Sequence, residues 1–381
     1  VQAQLPDLFA TCGSSPVVFL RGSELVGMRP AGTHPLGLAV DIGTTKLAAY
    51  LVDLTSGATL ASAGLMNPQI AWGEDVMARL GHAMQVEDGA RQLRAAVTQA
   101  IDAQARSLCA QVSLSPEDIV DAVVVGNTAM HHLFLGLPVG QLGMAPFAPA
   151  VTTSLDVPAA QQGLKIAPGA NIHLLPNIAG FVGADHVAML LGSGMLEREG
   201  ITLGMDIGTN TEISLVAHGS HYACSTASGP AFEGAHIRFG MRAAPGAIEK
   251  VLIHQGEVRL QVIGDQPAQG LCGSGILDLV AQLRRNNIIN ARGAFNAGTD
   301  TRLVNGEKGL AFEVAPGITF DRHDINEIQL ANGAMRTGVN ILLDRAGISE
   351  ADIDTVIIAG AFGTYLDVHS GMDIGMFPRL P

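Results

Sequence analysis

The chain is 381 residues long, 48 % apolar and only 15 % charged, with 46 glycines. That excludes a disordered chain, a coiled coil and a collagen-like repeat, and is enough for about two to three cored domains. The 22 Lys and Arg against 35 Asp and Glu leave a net charge of −13, which speaks against nucleic acid or an anionic membrane as partner.

Residues 1–35 mix Pro, Gly and Ser with short apolar runs and read as a linker or the remnant of an upstream domain. From Leu36 the pattern changes. Leu38-Ala39-Val40 leads into Asp41-Ile42-Gly43-Thr44-Thr45, then Leu47 to Asp53, then Thr55-Ser56-Gly57, which is strand, glycine turn, strand, turn. Residues 74–110 read as helices, and Ser115-Pro116-Glu117-Asp118 starts a further short one. Ala122 to Val125 is a buried strand ending at Gly126-Asn127-Thr128, and Ala129 to Leu137 looks helical. Leu203 to Asn210 then repeats the earlier signature as Asp206-Ile207-Gly208-Thr209-Asn210, followed by a strand over Glu212 to Ala217. The offset of 165 residues predicts two related α/β halves. Gly273-Ser274-Gly275 precedes an apolar helix, Ile276 to Leu283, and Thr355 to Ala359 is a late buried strand running into Gly360-Ala361-Phe362-Gly363.

The repeated turn has a chemical logic. An Asp at a strand end can hold hydrated Mg2+. The Gly lets backbone approach a phosphate, and the Thr hydroxyl with neighbouring N–H groups donates to phosphate oxygens. Two such turns are expected to grip a triphosphate from both sides, in a cleft between the halves. A P-loop is absent, because none of Lys46, Lys165, Lys250 or Lys308 follows a Gly, and no G-x-G-x-x-G follows the first strand. Cys12, Cys109, Cys224 and Cys272 are far apart with no C-x-x-C, so reduced thiols in a cytoplasmic protein are expected. The longest uncharged stretch, 133–155, is broken by Pro138, Pro146 and Pro149 and is not expected to span a bilayer. No signal peptide is evident, and a chain that starts with Val is expected to be a fragment.

These turns, with the late strand, resemble the acetate kinase, sugar kinase and actin superfamily. The resemblance implies an α/β fold of two actin-like (ribonuclease H-like) domains with mixed sheets, over about 36–195 and 200–381. It assigns Asp41 to Thr45 and Asp206 to Asn210 to phosphate and Val356 to Gly363 to adenosine. Four segments are similar to one branch, the ATP-dependent reductive activators of corrinoid proteins: Val125 to His132, Pro176 to His186, Ser225 to Ile248 and Cys272 to Asp278. For that branch the implied activity is ATP-driven reduction of a corrinoid protein of a methyltransferase system from Co(II) to Co(I). Electrons are implied to come from an iron–sulfur cluster, of the 2Fe-2S type, in an N-terminal domain that this chain lacks. A further helical segment after the adenosine motif is expected to be missing too.

Asp41 and Asp206 are the candidate metal and phosphate ligands. Gly43, Thr44, Thr45, Gly208, Thr209 and Asn210 are candidate nucleotide contacts, and Glu212 a candidate for orienting the attacking water. Asp185 suits either a helix N-cap or a base near the transferred phosphate. Gly273, Ser274 and Gly275 suit either nucleotide contact or a tight turn, and Phe362 either core or adenine platform, beside Gly360, Ala361 and Gly363. Glu233 and His236 fit partner or nucleotide contact, or a buried pair; His131 and His132 diverge on a helix and read as structural. Rival readings are a small-molecule kinase of the same superfamily and an actin-like assembly protein. The low charge suggests a homodimer.

Overall fold

The computed structural model describes residues 5–12, 15–264, 266–307, 309–360, 363 and 366–379. The chain divides into two compact units, Val1–Ala188 and Met189–Pro381, each with its own apolar core.

The first unit opens with helix α1 (Leu5–Cys12) and the strands β1 (Val17–Arg21) and β2 (Glu24–Arg29), an antiparallel hairpin. The sequence leads to the expectation of a linker or the remnant of an upstream domain over this stretch. The hairpin instead buries Phe19, Val26 and Met28, and Arg29 clamps it to Asp118 at 2.6 Å. The apolar surface of three side chains is what turns the segment into part of the unit.

Next come β3 (Leu36–Ile42), β4 (Lys46–Asp53), β5 (Thr59–Met66), α2 (Val76–Gln85), α3 (Gly89–Gln111), β6 (Ile119–Gly126), α4 (Thr128–Leu135), β7 (Leu155–Pro158), β8 (Asn171–Leu174) and α5 (Ala184–Gly192). The sheet order is β5-β4-β3-β6-β8-β7. β3 runs antiparallel to β4 and parallel to β6, so the sheet is mixed. α3 buries Leu93, Val97, Ile101, Ala105 and Leu108, a 3.6-period stripe facing the core.

The second unit has β9 (Thr202–Ile207), β10 (Thr211–Ala217), β11 (Ser220–Thr226), β12 (Ala247–His254), β13 (Glu257–Val262), β14 (Gly270–Leu271), α6 (Gly273–Arg285), β15 (Leu303–Gly306), β16 (Gly309–Ala315), β17 (Ile318–Asp321), α7 (Arg322–Ala346), β18 (Thr355–Ala359) and α8 (Val368–Asp373). Its main sheet, β11-β10-β9-β18, is also mixed, with β18 parallel to β9.

Each unit therefore repeats one scheme. A strand ending in Asp-Ile-Gly-Thr folds back on the next, and a later strand lies parallel to it on the other side. Where that later strand ends, a glycine is required. A Cβ on Gly126 would lie 2.8 Å from the Ile42 carbonyl oxygen, and one on Gly360 would lie 2.6 Å from that of Ile207. Gly360 also has φ +89°, a conformation that side chains resist. Gly126 thus takes the same place in the first unit that Gly360 takes in the second. Among the described residues no helix is long and apolar enough to cross a membrane.

Candidate functional site

In the second unit, β9 and β10 pair so that Asp206 and Glu212 are direct cross-strand partners. Two carboxylates thus share one face, at the spacing where like charges repel. Asp206 remains partly accessible, yet burial pushes its carboxyl above the ordinary range. Ser225 donates to Glu212 Oε1 at 3.0 Å and fixes that side chain. Thr209 donates its hydroxyl to Glu233 Oε1 at 2.5 Å. Gly360 follows β18 directly beside this turn, its Cβ direction pointing 3.0 Å from Asp206 Oδ1. Candidate phosphate and adenosine elements of this unit are therefore neighbours.

The first unit's turn differs. Ile42 pairs with Leu47, whereas Ile207 pairs with Thr211, so the first turn is one residue longer. A one-residue slip exchanges the faces of a strand. The residue six places after Asp41 is Leu47, fully buried, and the partner opposite Asp41 is Ala48. Asp41 is exposed at the strand end with no second carboxylate opposite it. The turn is instead bound to a buried cation. Arg79, 0 % exposed, donates from Nη2 to the Thr44 carbonyl at 2.5 Å and from Nε to the Gly73 carbonyl at 2.9 Å. Burial pulls its guanidinium down to about 10, which leaves it charged at neutral pH. Asn67 donates to the Gly43 carbonyl at 2.8 Å, and Asn127 donates to the Thr44 hydroxyl at 2.9 Å. Sequence reasoning missed Arg79, Asn67 and Asn127. Only Asn127 had a signal, its place after a buried strand.

The remaining candidates distribute as follows. Thr45 and Asn210 are half-buried in their turns, Gly208 is exposed, and Lys46 points to solvent. Asp185 lies inside α5 and accepts the His186 backbone N–H at 2.8 Å; it is not the N-cap, because the helix begins one residue earlier. Gly273, Ser274 and Gly275 form the buried first turn of α6. A Cβ on Gly275 would lie 2.1 Å from the Ile248 carbonyl oxygen, so packing alone demands that glycine. Gly363 donates its N–H to the Gly360 carbonyl at 3.1 Å, while Ala361 and Phe362 lie outside the described residues. Glu233 and His236 are exposed rather than a buried pair: Glu233 holds Thr209, and His236 lies 3.6 Å from Glu327. His131 and His132 are buried, and His132 is held by the Thr128 carbonyl at 2.8 Å and the Ala150 N–H at 3.0 Å.

The donor atoms present fit one of the two groups that the sequence implies. Asp206 suits a hydrated Mg2+, which needs only one or two protein carboxylates and keeps water and phosphate as other ligands. An iron–sulfur cluster does not fit the cysteines. Cys12, Cys109 and Cys272 are buried and Cys224 half-buried; burial, with the Glu212 charge adding, pushes Cys224 up to about 11. Among the described residues no three His, Cys, Asp or Glu side chains gather to hold a metal.

Residues 36–198 match the family model described as the RACo middle region. Residues 200–381 match that of the C-terminal domain of RACo, the ASKHA domain. The chain is 36 % identical to the corrinoid activation enzyme RamQ of Eubacterium limosum, over 98 % of this chain and 68 % of that protein. The chain belongs to the RACo family. It is also 26 % identical to the Co(II) methylated amine-specific corrinoid protein reductase of Methanosarcina barkeri, over 90 % of this chain and 66 % of that one. A solved structure, titled a reductive activator for corrinoid, iron-sulfur protein, superposes with TM-score 0.85 at 35 % identity, covering all of this chain and 63 % of its own. This RACo-family chain thus spans about two thirds of the length of these relatives, and its fold is that of the family's actin-like core.

Proposed function

We propose that the chain is the ATP-binding and ATP-hydrolysing core of a reductive activator, which drives the reduction of a corrinoid protein of a methyltransferase system from Co(II) to Co(I). The observation that carries the reading is the Asp206–Glu212 carboxylate pair beside Gly360, in a chain of the RACo family. In this reading Glu212, fixed by Ser225, orients a water for attack on the terminal phosphorus. The bond from that phosphorus to the bridging oxygen breaks, ADP leaves, and Glu212 accepts the water's proton. Asp206 would hold Mg2+, which neutralises phosphate charge, and Asp41 is the first unit's candidate metal ligand. Thr44, Thr45 and Asn210 donate to phosphate oxygens, Thr209 does so through its backbone N–H because its hydroxyl is given to Glu233, and Gly360 leaves room for the adenosine. The cysteines do not suit a cluster, so the electron comes from a separate redox centre.

The test mixes the chain, Mg-ATP and a Co(II) corrinoid protein with a reductant too weak to act directly, and follows the corrin absorbance. The expected result is ATP hydrolysis, with Co(I) appearing only when an iron–sulfur electron donor is added. A chain that neither binds nor hydrolyses ATP refutes the reading. Co(I) formed without any donor refutes the assignment of the redox centre.

A further inference from the structure

Asn127 has no role in the reading above, yet its two side-chain bonds have a consequence for the first turn. It follows β6, which lies parallel to β3 with Val125 opposite Asp41 and Gly126 opposite Ile42. The end of β6 therefore delivers residue 127 to the first Asp-Ile-Gly-Thr turn.

The orientation of the Asn127 amide is fixed by the backbone. Its Oδ1 accepts the Met130 N–H at 3.0 Å and caps α4. An oxygen is required there, because an amide nitrogen cannot accept. Nδ2 is thus the atom 2.9 Å from Thr44 Oγ1, and it donates. The Thr44 hydroxyl spends a lone pair on Asn127 and keeps its own proton. Among the described residues that proton has no acceptor, although Thr44 is partly accessible. The second turn has the opposite arrangement, since Thr209 gives its proton to Glu233. Arg79 and Asn67 hold the carbonyls of the first turn, so the hydroxyl cannot swing away with its backbone. The buried guanidinium behind it favours an anion in front.

We infer that Asn127 is a positioning residue that turns Thr44 into an obligate donor for a phosphoryl oxygen of the nucleotide. This rests on the nucleotide reading of the turn. An amide is needed at position 127 because a carboxylate would itself take the Thr44 proton.

The test uses Asn127→Ser, which keeps a capping oxygen and adds no charge but is too short to reach Thr44. Thr44→Val is the comparator, and calorimetry reads ATP and adenosine affinity for wild type, both single variants and the double variant. One hydrogen bond to a charged group corresponds to about a tenfold change in affinity. Asn127→Ser is expected to weaken ATP roughly tenfold with adenosine affinity and melting temperature unchanged. The double variant is expected to bind ATP no more weakly than Thr44→Val. Wild-type ATP affinity in Asn127→Ser, equal losses for ATP and adenosine, or losses that multiply in the double variant overturn the inference while leaving the nucleotide reading intact. A wild-type chain that binds no ATP overturns both.

Discussion

Replacing Arg79 by Met tests whether a buried cation builds the first turn. The side chain is fully buried, and its guanidinium serves two backbone carbonyls, Thr44 at 2.5 Å and Gly73 at 2.9 Å. Methionine fills similar space but leaves both carbonyls without their donor. Each bond from a charged donor contributes about 1.5–3 kcal/mol net. Relief from holding a cation out of water offsets part of that loss. The balance is a destabilisation of about 3 kcal/mol. The first unit comprises residues Val1–Ala188, and at that size each kcal/mol moves the midpoint by about 2–4 °C. Arg79→Met is therefore expected to melt roughly 6–12 °C lower by scanning calorimetry. Arg79→Lys should lose almost as much, because an ammonium keeps the charge but cannot reach both carbonyls in the guanidinium's planar geometry. A midpoint within about 2 °C of wild type for Arg79→Met would refute the reasoning and show that Arg79 is carried by its aliphatic packing alone.

Asp206→Asn should cut ATP hydrolysis by roughly 100-fold or more while the chain stays folded. Burial holds the Asp206 carboxyl up, so its charge opposes folding above its own pKa, and the neutral variant should melt no lower than wild type at neutral pH; wild-type turnover removes Asp206 from the mechanism. His131 is 2 % exposed, and burial, with the His132 charge adding, pulls it down from 6.5 to about 4. The unfolded chain takes that proton first, so stability should be full above pH 6.5 and fall toward pH 4, by up to ~3 kcal/mol; urea unfolding of His131→Leu should show a flatter pH dependence. Gly360→Ala should destabilise by about 1–3 kcal/mol and impair hydrolysis, since its Cβ would press on the Ile207 carbonyl at φ +89°. Gly81→Ala, in α2 with open space around the new methyl, should instead stabilise by about 0.5–1 kcal/mol in the same melting assay.

The sequence by itself determined the repeated turn, the strands around it and the late glycine after Ala359, because turn chemistry and side-chain alternation act between near neighbours. The Asp206–Glu212 pairing was within its reach too, since a tight hairpin pairs residues equidistant from its centre. The same local logic overlooked the hairpin over residues 17–29, whose apolar runs are too short to stand out until Phe19, Val26 and Met28 find the core. The tertiary structure alone decided that the two turns are chemically unlike. One extra residue in the first puts Ala48 opposite Asp41, where the second has Glu212 opposite Asp206. The approach of α2 and of the end of β6 brings Arg79 and Asn127 onto Thr44. Those contacts join segments far apart in the chain, and their partners are selected by sheet order and burial, which no local pattern encodes.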